Sequence, residues 1–115
     1  MLTNDDRREI VKLRIENAHQ TMREAKLMMD NEFWNAAINR MYYACYYIVS
    51  ALLMQHNFEA RTHKGIIALF SMYYIKTRIL SEEAGKLYRS LFELRQAGDY
   101  DELKKLLIER MLFVV

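Results

Sequence analysis

The sequence predicts an all-α protein, an up-and-down antiparallel four-helix bundle with a short fifth C-terminal helix. Three observations carry this. The 115 residues hold no proline and only three glycines, so little in the chain interrupts a helix. Apolar residues recur at spacings of three and four in successive segments, the period of a helix with one face in a core. Capping side chains at Thr3, Thr62 and Ser81 precede such segments, and the short connections between them favour antiparallel neighbours. The length suits one domain over residues 1–115, with room for a core but not for a second domain.

The first helix is expected to begin near Thr3 or Asn4, with Asp5 and Asp6 at the positive end of its dipole. Val11, Ile15, Ala18, Met22, Ala25 and Met29 form its stripe, and Asp30-Asn31 ends it. The second helix follows Phe33-Trp34 and runs to about Gln55 or His56. It is apolar or aromatic nearly all round. One stripe is Trp34, Ile38, Met41, Cys45, Ile48 and Leu52; beside it lie Ala37, Ala44 and Ala51, with Arg40 and Tyr47 between them. Tyr42, Tyr46, Val49 and Leu53 cover a third side. A helix apolar all round is buried, so this one is expected to pack into its own bundle on one side and against a second partner on another. Thr62 caps a third helix, placing His63, Lys64 and Gly65 in its first turn and Ile66, Leu69, Phe70 and Tyr73 toward the core, until it fades around Thr77-Arg78. Ser81, Glu82 and Glu83 open the fourth, whose stripe is Ala84, Leu87, Leu91 and Leu94 and whose stop is Gly98. Asp101 opens the fifth segment, with Leu103, Leu106, Leu107 and Met111; the apolar end at Leu112 to Val115 is expected to dock on the bundle or on another subunit.

The formal charge of +2 is too small for nucleic-acid binding by bulk electrostatics, although it leaves room for a local basic patch. The single cysteine, Cys45, reads as a small buried apolar residue and points to a reducing compartment. The N-terminus shows no apolar secretion segment, and no apolar run reaches the roughly 18 residues of a membrane span. The expectation is a cytoplasmic protein without membrane contact.

Several pieces recur in a known order: Arg40-Met-Tyr42-Tyr43-Ala44, the run ending in Ala51-Leu52-Leu53, Thr62-His63-Lys64-Gly65, Phe70, and Leu94-Arg95-Gln96-Ala97-Gly98-Asp99-Tyr100. In that order and spacing the chain resembles the HEPN domain, a small helical module often encoded beside minimal nucleotidyltransferases. The resemblance implies a helical bundle that forms homodimers, with the second copy covering the tyrosine helix at Tyr42, Tyr43, Ala44, Tyr47 and Ala51. It also implies a toxin–antitoxin-like two-component module with a nucleotidyltransferase-family partner, and chemistry on RNA that needs neither metal nor cofactor.

Many members of the family cleave RNA with an arginine followed, after four to six residues, by a histidine. Arg95 matches the arginine, but the matching position holds Tyr100 and no histidine follows it. Arginine stays protonated and stabilises phosphate charge. A tyrosine of pKa about 10 is a poor proton carrier at neutral pH, so a degenerate ribonuclease site in a nucleotide- or RNA-binding regulator is the first expectation. The resemblance alone implies an alternative role for Tyr100, as the acceptor of a nucleotidyl group from the partner. Arg14 and His19 have the motif's letters, but within one helix they point roughly 140° apart and do not converge.

His63 is the more informative histidine. It opens a helix, where the dipole disfavours positive charge, beside Arg61 and Lys64 and the free amides of the first turn. Its bland role is to pack the third helix on the second. Its functional role is to replace, in space, the histidine missing after Arg95, which gives the alternative of an active ribonuclease. Arg40, if buried, requires a partner, for which Asp99 is the candidate; otherwise Arg40 joins Arg95, Tyr100, His63 and Lys64 as a ligand contact. A third alternative is a structural dimer with no ligand.

Overall fold

The computed structural model describes residues 2–58 and 60–96 and consists of four helices: α1 (Asn4–Asp30), α2 (Trp34–Gln55), α3 (His63–Phe70) and α4 (Glu82–Gln96). Among the described residues there is no strand, and the architecture is the expected all-α bundle. Gly98, Asp99, Tyr100, the fifth segment and the apolar end lie outside the described residues.

The caps form as the sequence indicates. Thr3 and Asp6 exchange hydrogen bonds in a capping box at the start of α1, and the Ala84 amide donates to the Ser81 hydroxyl before α4. Helices α1 and α2 both stop without glycine. The Phe33 amide donates to the Met28 carbonyl and the Phe58 amide to the Leu53 carbonyl, while Glu32 (φ 60°) and Asn57 (φ 61°) take the left-handed position.

Helices α1 and α2 make an antiparallel pair whose register is fixed by arginines. Arg7 Nη1 donates to the Met54 carbonyl at 3.2 Å and Arg14 Nη1 to the Ser50 carbonyl at 3.4 Å, so two cations lie against the negative end of α2. This register corrects the expected stripe of α1. Ala18, Thr21 and Ala25 are buried and Arg14 is half-buried, whereas Ile15 and Met22 are 39% and 41% exposed. The helix is rotated by about one residue relative to the apolar pattern because its arginines reach α2 carbonyls.

Helix α2 is covered from two directions, both within the protomer. Helix α1 lies on one side, and α4, antiparallel to α2, lies with α3 on the other. Tyr42, Ala44 and Ala51 are at most 3% exposed, so these three are enclosed by the protomer's own helices. Ile48 stays open at 38% exposure, at the floor of an apolar groove of about 390 Å³ between α1 and α4 whose rim includes Met22, Leu80 and Leu87.

Past Phe70 the chain continues as one wide π-helical turn, Ser71–Ile75, in which the Lys76 amide donates to the Ser71 carbonyl. The wider turn moves the core position on by one. Tyr74 is buried in place of Tyr73, which is 38% exposed and stacks on Phe58. The Tyr74 hydroxyl donates to the Leu52 carbonyl in the last turn of α2 at 3.0 Å. In α4 the deepest residues are Tyr88, Leu91 and Phe92, with Ala84, Leu87 and Leu94 at the flanks of that face.

Candidate functional site

The start of α3 and the end of α4 meet on the same stretch of α2. The Thr62 side chain accepts from the Gly65 amide at 2.9 Å, which fixes the first turn of α3 and sets His63 against α2. His63 is half-buried; its Nδ1 is hydrogen-bonded with the Tyr42 hydroxyl, and its ring lies 5.1 Å from the Tyr46 ring and 6.4 Å from those of Tyr43 and Phe92.

Arg95, in the last turn of α4, is also half-buried. Its Nε donates to Asn39 Oδ1 at 3.2 Å and its Nη2 to the Tyr43 hydroxyl at 3.0 Å. The guanidinium carbon sits 4.9 Å from the Tyr42 ring centroid and 5.0 Å from that of Tyr43, a cation–π arrangement on both rings. Arg95 and His63 of one protomer therefore share Tyr42 and Tyr43 as neighbours. Two of the five guanidinium donors are used in holding the side chain, a geometry that suits an anion held beside a fixed imidazole.

Desolvation raises the Tyr42 hydroxyl above the usual phenol value, against the opposing pull of its contact with Tyr88 and of the Arg95 charge. Burial raises Tyr88 still further. Both are neutral hydroxyls at pH 7. The Tyr88 hydroxyl is buried and has no partner of good hydrogen-bond geometry.

The other expected residues fall into two groups. Lys64 is exposed beside His63, and Tyr47 is half-buried next to Tyr43 and Tyr46. Arg40 is not buried among the tyrosines. It is exposed and reaches α1, where it pairs with Glu24 at 3.7 Å, while Arg95 takes Asn39 and Tyr43. Asp99, the expected partner of Arg40, lies outside the described residues, as does Tyr100. In the unbroken helix α1, Arg14 turns to α2 and His19 is exposed. Asn39 and Tyr43 went unrecognised as the holders of Arg95. Their spacing of four on α2 places them on one helical face, but the sequence offers no sign that Arg95 lands there. Among the described residues no group of three or more His, Cys, Asp or Glu side chains is arranged to hold a metal, and no helix is long and apolar enough to cross a membrane.

A helical bundle with an arginine and a histidine converging on one tyrosine-lined site is the class of protein defined here. The HEPN domain family model matches residues 11–110, and the chain belongs to that family. Among its relatives are a UPF0332 protein of Thermotoga maritima, 37% identical over 86% of this chain and 75% of its own, and two proteins of Methanocaldococcus jannaschii. These two are named "Putative toxin MJ0605", 29% identical over 98% of this chain and 90% of its own, and "Putative toxin MJ0142", 33% identical over 86% and 69%. No solved structure matches the chain.

Proposed function

We propose that the chain is the toxin-like member of a two-component module and acts on RNA, with a backbone phosphate held and cleaved at the Arg95–His63 cluster. One observation supports this above the rest: arginine and histidine, from different helices of one protomer, meet on Tyr42 and Tyr43. Arg95 neutralises charge on the phosphate, with Lys64 adding positive charge from the first turn of α3. His63 takes the proton role for which position 100 supplies no histidine. Its Nε2 removes the proton of a ribose 2′-hydroxyl as the 2′-oxygen bonds to phosphorus and the bond from phosphorus to the 5′-oxygen breaks. That proton returns through solvent to the departing 5′-oxygen, leaving a 2′,3′-cyclic phosphate. The relatives named as toxins support the toxin-like role. A nucleotidyltransferase-family protein is the partner that the family resemblance suggests.

The second reading is a nucleotide- or RNA-binding regulator with a degenerate site, favoured by Tyr100 standing where the histidine is expected. One assay separates the two. Single-stranded RNA incubated with the wild type, Arg95→Ala and His63→Ala yields cyclic-phosphate ends from the wild type only, with each variant reduced on the order of 100-fold or more. RNA bound without cleavage, and more weakly by Arg95→Ala, selects the regulator. Neither binding nor cleavage removes both.

A further inference from the structure

At about 100° and about 1.5 Å per residue, Asn39, Tyr43, Tyr46, Tyr47, Ser50 and Met54 share an arc of about 100° on α2 and extend for about 22 Å. Three other helices border this face. Arg14 and Arg7 of α1 reach it at the Ser50 and Met54 carbonyls, His63 of α3 lies 5.1 Å from the Tyr46 ring, and Arg95 of α4 stands at Asn39 and Tyr43. Between them Tyr43, Tyr46 and Tyr47 are half-buried, with ring centroids 5.8–6.3 Å apart. Aromatic rings thus occupy the middle of the face and cations stand along it.

The packing of α1 on α2 accounts for part of this arrangement, since Arg7 and Arg14 fix the register. It takes one nitrogen from each, and a guanidinium carries five N–H donors. Among the described residues no carboxylate pairs with Arg7, Arg14 or Arg95, whereas the exposed Arg8 and Arg40 pair with Asp5 and Glu24. Cations drawn partly out of water without a counter-charge favour an anion beside them. The net charge of +2 therefore hides a local stripe of positive charge. Cations that follow a phosphate backbone, combined with accessible aromatic faces, suit a single strand, whose unpaired bases are free to stack. In a duplex those faces are taken by neighbouring bases.

We propose that this face of α2 is the track for a single-stranded RNA segment on one side of the phosphate held by Arg95 and His63: a base stacks on Tyr47, and the phosphates beyond it meet Arg14 and then Arg7. The track rests on the reading of the Arg95–His63 cluster as an RNA site and extends it. At about 22 Å it accommodates about four nucleotides, the lower end of the usual range for such grooves. Stacking on Tyr47 tolerates any base, so the face selects unpaired RNA over duplex rather than one sequence over another.

The test is fluorescence anisotropy on the full chain, with single-stranded RNA of increasing length and a duplex of the same sequence. Affinity is expected to rise with length to about four nucleotides and then level off, and the duplex to bind roughly tenfold more weakly. Tyr47→Leu keeps apolar bulk without a ring and weakens binding roughly tenfold, while Tyr47→Phe stays close to wild type. Arg7→Gln and Arg14→Gln keep an amide donor for the α2 carbonyls and remove the charge; together they flatten the slope of log affinity against log salt by about 1.4. Helical circular dichroism checks the fold, and the Tyr47 pair decides if the arginine variants lose it. Wild-type affinity in Tyr47→Leu, an unchanged salt slope in the folded double variant, or equal affinity for the duplex overturns the track; weaker binding by Arg95→Ala then leaves the reading of the cluster standing. Weakened binding by Tyr47→Leu with no cleavage by the wild type keeps the track and removes the nuclease. A wild type that binds no RNA removes both. A mass halved in Tyr47→Leu by light scattering, with RNA binding unchanged, gives the face to a second copy and overturns the track.

Discussion

Arg95 donates from Nη2 to the Tyr43 hydroxyl at 3.0 Å while its guanidinium carbon stays 5.0 Å from the centroid of the same ring. One tyrosine thus meets the arginine with both its oxygen and its ring. A lysine at position 95 lacks the planar fork whose separate nitrogens donate to Asn39 and Tyr43. Arg95→Lys is therefore expected to resemble Arg95→Ala, each weakening single-stranded RNA binding roughly tenfold, while Tyr43→Phe weakens it only a few-fold. Fluorescence anisotropy at one fixed salt concentration ranks the three; Arg95→Lys binding as well as wild type would remove geometry from the argument and leave charge alone.

The wide turn after α3 makes a prediction about two adjacent tyrosines. Tyr74 is 5% exposed and its hydroxyl bonds to the Leu52 carbonyl, whereas Tyr73 is 38% exposed. Tyr74→Phe is expected to cost about 1 kcal/mol in urea unfolding and Tyr73→Phe close to nothing. Equal losses at the two positions would mean that α3 continues in ordinary helical phase.

The difference between those two positions marks how far the sequence could be read. The helices themselves were legible, because Thr3, Thr62 and Ser81 announce their starts and the 3.6-residue period shows which segments have a core face. Position within the bundle was less so. A π turn has no apolar signature, so the ordinary helical period pointed to Tyr73 where Tyr74 is the occupant of the core. In α1 the pattern favoured Ile15 and Met22, but the bonds from Arg7 and Arg14 to α2 carbonyls decided the rotation. The candidate site was half-legible. Arg95 and His63 were identifiable one at a time, while Asn39 and Tyr43 as holders, and Glu24 as the partner of Arg40, arise from helix contacts between residues distant in the chain.

The enclosure of Ala44 and Ala51 changes what a charge placed there does. Both are at most 3% exposed within the protomer, so Ala44→Asp puts a carboxylate among apolar groups without water or a partner and is expected to unfold the protein. Ile48→Asp places the same charge on the open groove floor and leaves the helical circular dichroism intact. An equal loss of helix in the two variants would show that Ile48 is as enclosed as Ala44.

Alkaline pH tests the core as a whole. Burial pushes the Cys45 thiol from 9.0 up to about 11 and also raises the hydroxyls of Tyr42, Tyr74 and Tyr88. Each folded-state group holds its proton more tightly than the unfolded chain does, so between the two values the native state binds more protons and stability falls as pH rises. For Cys45 the contribution is complete below pH 9.0 and is lost progressively toward about 11, an effect on the order of 2 to 3 kcal/mol. The expected result is a melting temperature level up to about pH 8.5 and declining above it, with a shallower decline in Cys45→Ala. The same protonated thiol should react slowly with iodoacetamide at pH 8 in the folded protein and at an ordinary rate in urea. Rapid labelling of the native protein, or a decline equally steep in Cys45→Ala, would show that Cys45 is not held in an apolar setting between α2 and its neighbours.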